Sequence, residues 1–225
     1  MASRPVFLPK RSKSAFVREI PVEFKWFAGM AVTQKQKSIS SLHDSARALL
    51  SVDKVLEISS KSTEHIGVSL SAFNLSLEMD GRLVSVEVAY QSGKRFERGG
   101  PFLDLLKRTS REAKSDSRLK ESGRLIGFSL SGDPWPLEPT TAFYDWLYLR
   151  ALTENPKLAE QLPEYGAFTD IEFNPEKSLN CQARSAALYV CLQKERLLDE
   201  ALRNKDSFLN VLGANISETR QGGLF

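Results

Sequence analysis

Glu87, Gln91 and Lys94 follow one another at intervals of four and three residues. Wound into a helix at about 100° per residue, they share one face within roughly 60°. Glu87 and Lys94 then stand about two turns, roughly 10 Å, apart along the axis. That is wider than an i,i+4 surface ion pair and suits a small ligand lying across the helix. A carboxylate and an amine flanking one pocket supply acid/base chemistry and a nucleophile. A partly desolvated lysine loses its proton more readily and can attack a carbonyl carbon to form a Schiff base. Val84, Val88 and Ala89 are the apolar neighbours that would shield such a stripe. By spacing alone, an exposed helix face of mixed polarity is the commoner meaning of this pattern.

The elements around these residues are legible in outline. Residues 15–24 alternate about Pro21 like an edge strand or two short extended pieces, and residues 33–50 predict a helix with Ile39, Leu42, Ala46 and Leu49 on its core face. Residues 54–58 and 67–79 read as strands, and Asp80-Gly81 as a tight turn. The helix bearing Glu87 is predicted from Val84 to about Phe96, stopped by Gly99, Gly100 and Pro101. The charged stretch 102–123 ends in a segment that looks exposed. A strand over 124–130 is broken by Gly132, Pro134 and Pro136. A helix follows from Ala142 to Thr153 with Thr140 or Thr141 as N-cap, then a short one around 156–162. The longest helix is predicted over 179–203, its core positions Ala183, Ala187, Val190, Cys191, Leu197 and Leu198, and the end carries Gly222-Gly223. The expected class is α+β, a predominantly helical single domain with short strands in the N-terminal half.

With 225 residues, 41% hydrophobic and 26% charged, the composition excludes disordered, collagenous and low-complexity classes. No stretch approaches the 18 apolar residues of a membrane helix, and MASRPVFLPKRSK lacks the long apolar core of a secretory signal. Cys181 and Cys191, ten residues apart in one predicted helix, cannot bridge within it. They read as buried thiols of a reducing compartment, hence a cytoplasmic protein. His43 and His65 lie apart and the cysteines lack zinc-type partners, so no metal and no cofactor are expected. The net charge of +3 conceals a polarity: residues 1–50 sum to +6, residues 91–125 to +5, and the remainder to −8. Such basic blocks either solubilise the chain or form a footprint for phosphates.

Five segments, in order, carry a resemblance. SVEVAYQSGKRF (85–96) resembles the signature helix of the NADAR family, IGVSLSAFNLSLEMDG (66–81) its Leu-Ser-x-Phe block, and FYDWLYLRALTENPKLAEQL (143–162) its Asp-Trp helix and the helix after it. FTDIEFNPEKSLNCQA (168–183) stands where the family has a closing polar loop. EFKWFAGMAVTQKQKSISSLH (23–43) is similar to the N-terminal extension of the subgroup found beside DarT-type DNA ADP-ribosyltransferase toxins. The resemblance covers most of residues 3–193. It implies a NADAR-like domain over about 1–205, with a subgroup extension over about 1–50 and a C-terminal tail from 206 to 225.

The resemblance further implies a hydrolase that removes ADP-ribose from guanine bases of DNA by N-glycosidic cleavage, acting as antitoxin to a DarT-type toxin. Other members cleave small ribosylamine intermediates of riboflavin metabolism, and a toxin-binding protein without catalysis is a third reading. Glu87 and Lys94 match the family's catalytic carboxylate and lysine, Gln91 the polar residue between them, and Trp146 a pocket aromatic preceded by Asp145. Ser71 and Asn74 are candidates for ribose hydroxyls, and Gly99 and Gly100 for backbone approach to a pyrophosphate. Val88 stands where many members have His, and Asn180 and Gln182 stand where many have an Asp and a Trp-Gly pair. Asp170 or Glu172 is left as the second carboxylate. Lys10, Arg11, Lys13, Lys25, Lys35 and Lys37 would hold phosphates of ADP-ribosylated single-stranded DNA, with Trp26 or Phe27 stacking a base.

Overall fold

The computed structural model describes residues 1–12, 15–79, 81–176 and 178–221, with side chains up to residue 213. Asp80 of the expected turn, Lys13 of the basic block and Gly222-Gly223 lie outside the described residues. The chain groups into two compact units, Met1–Ser71 with Lys157–Phe225, and Ala72–Pro156. The first unit opens with β1 (Ala2–Leu8), β2 (Arg18–Phe24), α1 (Val32–Leu50), β3 (Val55–Glu57) and α2 (His65–Ser69). The second holds β4 (Ser76–Met79), β5 (Arg82–Ser85), α3 (Val86–Ser92), β6 (Lys94–Phe96), α4 (Ser110–Ser115), α5 (Arg118–Glu121), β7 (Leu125–Leu130), β8 (Asp133–Trp135) and α6 (Ala142–Thr153). After α7 (Pro156–Ala159) the first unit closes with β9 (Ala167–Thr169), α8 (Gln182–Lys194), α9 (Leu198–Ala201) and α10 (Lys205–Gln221). The class is α+β with more helix than strand, as the sequence predicts. The strands are not confined to the N-terminal half: β7, β8 and β9 lie beyond it.

In the first unit a four-stranded sheet runs β2-β1-β9-β3. β1 and β2 pair antiparallel from Ala2↔Phe24 to Leu8↔Arg18, and β9 runs antiparallel to β1 but parallel to β3. β2 is the edge strand expected from Pro21, since a residue without an N–H leaves no ladder bond unmade there. α1 packs Ile39, Leu42 and Ala46 into a core with Val6, Val22, Phe24, Val55, Ala167 and Ile171. Truncating a fully buried leucine such as Leu42 costs about 2–5 kcal/mol. Leu49, expected on that face, is 61% exposed, and Leu50 packs against the core instead.

In the second unit β4 and β5 form a hairpin through Gly81 at φ +72°, and β6-β7-β8 form an antiparallel sheet. Pro134 is tolerated in β8 because β8 is an edge. α6 is buried at every residue from Ala142 to Leu149. Its Phe143 stacks on Phe128 at 4.6 Å between ring centres, with Tyr90 and Trp135 alongside.

Four predicted elements divide differently. Residues 67–79 are not one strand: α2 covers the start and β4 the end. Gly67 lies so close to the Glu57 carbonyl that a Cβ would collide with it, a tertiary approach that alternation does not signal. The predicted helix 84–96 is β5, α3 and β6 in succession. The predicted helix 179–203 ends at Lys194, where Arg196 turns left-handed at φ +59°. Much of the expected tail, Lys205–Gln221, is α10.

Candidate active site

α3 begins where Ser85 caps it, its Oγ accepting from Val88 N at 3.2 Å. Glu87 sits in the first turn, where the helix dipole favours a carboxylate. Val86 N donates to Leu75 O and Glu87 N to Ala72 O, so the preceding block fixes the start of the helix. Gln91 follows one turn on, and its Nε2 donates to Glu87 Oε1 at 2.9 Å in a buried pair. Gln91 Oε1 is itself buried with no hydrogen-bond partner among the described residues, an acceptor facing a desolvation cost of about 1–3 kcal/mol.

Lys94 does not share this helix. α3 ends at Ser92 and Gly93 forms its C-cap. A Cβ on Gly93 would lie 2.8 Å from both the Phe143 ring and Ser129 O, so only glycine lets the chain turn here against that packing. Lys94 therefore opens β6, opposite Phe128 of β7. The helical-face geometry holds for Glu87 and Gln91 and is corrected for Lys94, which a strand delivers. Its Nζ stands 4.6 Å from the centre of the Tyr90 ring. Burial pushes its pKa down from 10.5 to about 8, with nearby Lys114 lowering it further and Glu87 raising it. A lysine so placed is a neutral amine in an appreciable fraction of molecules near neutral pH. Lys114 of α4 reaches Glu87 Oε1 at 3.7 Å. The site thus holds a carboxylate, an amide with an open acceptor, a low-pKa amine and a second cation.

The other candidates of this unit are less uniform. Trp146 is buried against Trp135 at 5.3 Å, in the aromatic packing of α6. Asp145 is buried and accepts from Thr141 Oγ1 at 2.7 Å. Thr141 holds the N-cap position, but its hydroxyl serves Asp145 and makes no capping bond. Asn74 is exposed. Gly100 has φ +81° and a Cβ there would collide with Lys94 O, while one on Gly99 would lie 3.1 Å from Phe102 and Ser122. Gly100 is required by the backbone at Lys94, whereas a side chain at Gly99 needs only small shifts of Phe102 and Ser122.

The first unit holds the remaining candidates. Ser71 is buried, and its Oγ has no hydrogen-bond partner among the described residues. Asp170, just after β9, is buried, and burial beside Glu57 pushes its pKa up to about 8. Gln182 bonds to Asp170 and donates from Nε2 to Ile58 O at 2.6 Å. Asn180 is half-buried, its carbonyl accepting from Ser178 Oγ. Of the two alternatives for the second carboxylate, Asp170 has the buried setting, whereas Glu172 is exposed and pairs with Lys35 at 3.1 Å. Sequence reading missed Glu57, which is fully buried and accepts from Ser59 Oγ, Ile171 N and Thr169 Oγ1. His43 Nε2 lies 2.9 Å from Thr169 Oγ1. As that hydroxyl donates to Glu57, the histidine carries its proton on Nε2. A glutamate in the apolar strand KVLEI was the available signal.

The N-terminal cations lie on this unit too. Lys35 and Arg4 stand over the Trp26 ring at 4.9 and 5.7 Å, and Lys25 over Phe27 at 5.1 Å. Lys25 and Lys37 are exposed. Arg11 is paired with Glu195 at 3.1 Å and Lys10 is exposed. A base stacking on Trp26 would have to share it with cations already there.

Both cysteines are free and buried, with raised pKa values caused by that burial. Among the described residues no group of three or more His, Cys, Asp or Glu side chains is placed to hold a metal ion. No helix among them is long and apolar enough to cross a membrane. Compared with known families, the chain matches the model described as DarT1-associated NADAR antitoxin over residues 2–221. No curated protein matches it.

Proposed function

The chain belongs to the DarT1-associated NADAR antitoxin family, and from that premise we propose that it removes ADP-ribose from guanine bases of DNA by N-glycosidic hydrolysis. Its partner in this reading is a DarT-type toxin that installs the modification, in the same reducing cytoplasm that suits two free thiols. The observation that carries the reading is Lys94: an amine with a pKa of about 8, set on the Tyr90 ring within electrostatic reach of Glu87.

The bond to break joins the anomeric carbon of ribose to the exocyclic amine of guanine. Ring opening breaks the bond from the anomeric carbon to the ring oxygen, which takes a proton from water, and leaves a protonated C=N bond to guanine; the neutral Lys94 amine adds to that carbon. Glu87 takes the proton shed by the attacking nitrogen and passes it to the guanine nitrogen, which leaves as the unmodified base. The carbon is then bound to Lys94 as an imine. Water adds to the imine, the Lys94 amine is expelled, and ADP-ribose is released. Gln91, tied to Glu87 by its amide N–H, offers its open carbonyl oxygen to a substrate hydroxyl or to Lys94. Asp170, buried and holding its proton to about pH 8, is the second carboxyl candidate. Lys25 and Lys37, both exposed, supply cations for the strand's phosphates, and Lys35 joins them on releasing Glu172.

Borohydride added during turnover of ADP-ribosylated single-stranded DNA tests this reading. A reduced protein–ADP-ribose adduct is expected in the intact chain and is lost in Lys94→Ala. Full turnover by Lys94→Ala rejects the imine. Toxin neutralisation that survives both Lys94→Ala and Glu87→Gln rejects catalysis altogether in favour of direct toxin binding.

A further inference from the structure

Lys114 lies in a stretch whose charge density marks it as a solvated face, yet its Nζ is 3.7 Å from Glu87 Oε1. The pair is lopsided: the Glu87 side chain is 8% exposed and that of Lys114 is 59% exposed. A buried carboxylate gains from a counter-ion, whereas a hydrated ammonium gains little from the carboxylate. At 3.7 Å the contact is also longer than the 2.7–2.9 Å of a charge-assisted hydrogen bond, so little is lost when it opens.

The backbone behind Lys114 is held firmly. Thr109 and Glu112 form a capping box at the start of α4. Ser110 Oγ lies 2.7 Å from Ser85 Oγ, the N-cap of α3, and donates to Phe73 O at 3.0 Å. Ser110 therefore fastens α4 to the end of α3 that sets Glu87. The Lys114 ammonium rests 5.0 Å from the centre of the Phe73 ring, which is itself 37% exposed. A fixed helix thus carries a long, exposed cation beside the Glu87 carboxylate.

We infer that Lys114 is an anion-binding residue of the Glu87–Lys94 site, its ammonium paired with Glu87 when the site is empty and transferred to a substrate phosphate when it is filled. The inference rests on the proposed function for its ligand, a nucleotide bearing a diphosphate. Filling the site withdraws a cation from Glu87 and leaves the carboxylate to Gln91 and Lys94. Among the described residues, the groups that face Lys94 include Glu87 and Tyr90 from α3 and Lys114 from α4, and its strand partner on β7 is Phe128.

Calorimetric titration of the full chain with ADP-ribose and with inorganic pyrophosphate tests it, using wild type, Lys114→Gln, Lys114→Arg, Glu87→Gln and the Glu87→Gln/Lys114→Gln double variant. Lys114→Gln is expected to weaken both probes at least tenfold and Lys114→Arg to restore most of the loss. Glu87→Gln frees the ammonium, so it should tighten both probes when Lys114 is present and not when it is absent. Thermal melting checks that the exposed substitutions leave the fold intact. Wild-type affinity in Lys114→Gln, or an equal Glu87→Gln effect in both backgrounds, overturns the inference, as does a wild type that binds neither probe. Pyrophosphate binding through Lys114 without turnover of ADP-ribosylated DNA keeps the anion site and rejects the hydrolase reading. Turnover with Lys114-independent binding does the reverse.

Discussion

The Lys94 ammonium lies 4.6 Å from the centre of the Tyr90 ring, one helical turn upstream on a helix that Lys94 has already left. The ring face attracts the cation, but burial strips water from it and the pKa falls to about 8. If the neutral amine attacks, kcat/KM rises with pH and levels off above an acid limb near 8. A profile flat from pH 6 to 9 removes Lys94 as the nucleophile.

The same burial carries a stability cost with a definite sign. Between pH 8 and 10.5 the unfolded chain holds the Lys94 proton and the folded chain does not, so stability rises with pH across that window. Below pH 8 the penalty is full. Lys94→Met, similar in length and uncharged, is expected to be inactive yet more stable at pH 7 by about 1–3 kcal/mol. The gain should vanish above pH 10.5. Urea unfolding of both proteins at the two pH values measures it.

Glu87→Gln keeps the shape and the Gln91 contact but cannot carry a proton. Loss of about 10²–10⁴-fold in kcat is expected, with an unchanged circular dichroism spectrum. The imine should then form slowly, because the departing guanine nitrogen is not protonated. Single-turnover rates near wild type would assign the proton transfer elsewhere.

The sequence made the acid and the amine legible but misplaced one of them. Glu87 and Gln91 lie on α3 as their spacing demands. Lys94 shares their site by another route, because Gly93 packs against Phe143 and Ser129 and ends the helix one turn early. Phe143 and Ser129 lie 50 and 36 positions further along the chain, which no local window contains. α1 and β2 follow their patterns because each buries one face, and α6 because its apolar run is buried throughout from Ala142 to Leu149. β9, three residues long, could not be foreseen: it is a strand only by lying between β1 and β3. Lys114 and Glu57 were missed for opposite reasons. The first is one charge among many in its segment, and the second is one charge hidden in an apolar strand.

Gly100 is where backbone conformation supports the amine. At φ +81° a side chain is strained, and a Cβ would collide with the carbonyl oxygen of Lys94. Gly100→Ala is expected to cost at least about 1 kcal/mol of stability and to lower activity further by displacing Lys94. Gly81→Ala is the control: its φ is also positive, but its Cβ meets nothing within 4 Å. It should lose stability while keeping the acid limb near pH 8. If Gly100→Ala keeps that limb as well, the glycine serves the fold alone.

In the first unit, the chain from His43 through Thr169 to Glu57 sets two opposing pH dependences. Burial and Arg47 depress the His43 pKa to about 4. Between pH 4 and 6.5 the unfolded chain therefore binds the extra proton, and stability is lost as pH falls through that window. Asp170 behaves oppositely: burial and Glu57 raise its pKa to about 8, so the folded chain holds the proton from about pH 4 to 8 and stability is lost as pH rises. Glu57, raised in the same direction by its burial, adds to the Asp170 trend. His43→Gln should flatten the acid side of the stability curve, and Asp170→Asn the side approaching pH 8. Thr169→Val, which unties His43 from Glu57, should cost about 1–3 kcal/mol at any pH. Denaturant midpoints at half-unit pH steps separate the three effects. An Asp170→Asn curve parallel to wild type from pH 5 to 8 would show that Asp170 is ionised in the folded chain, and would remove it as a proton-holding second carboxyl.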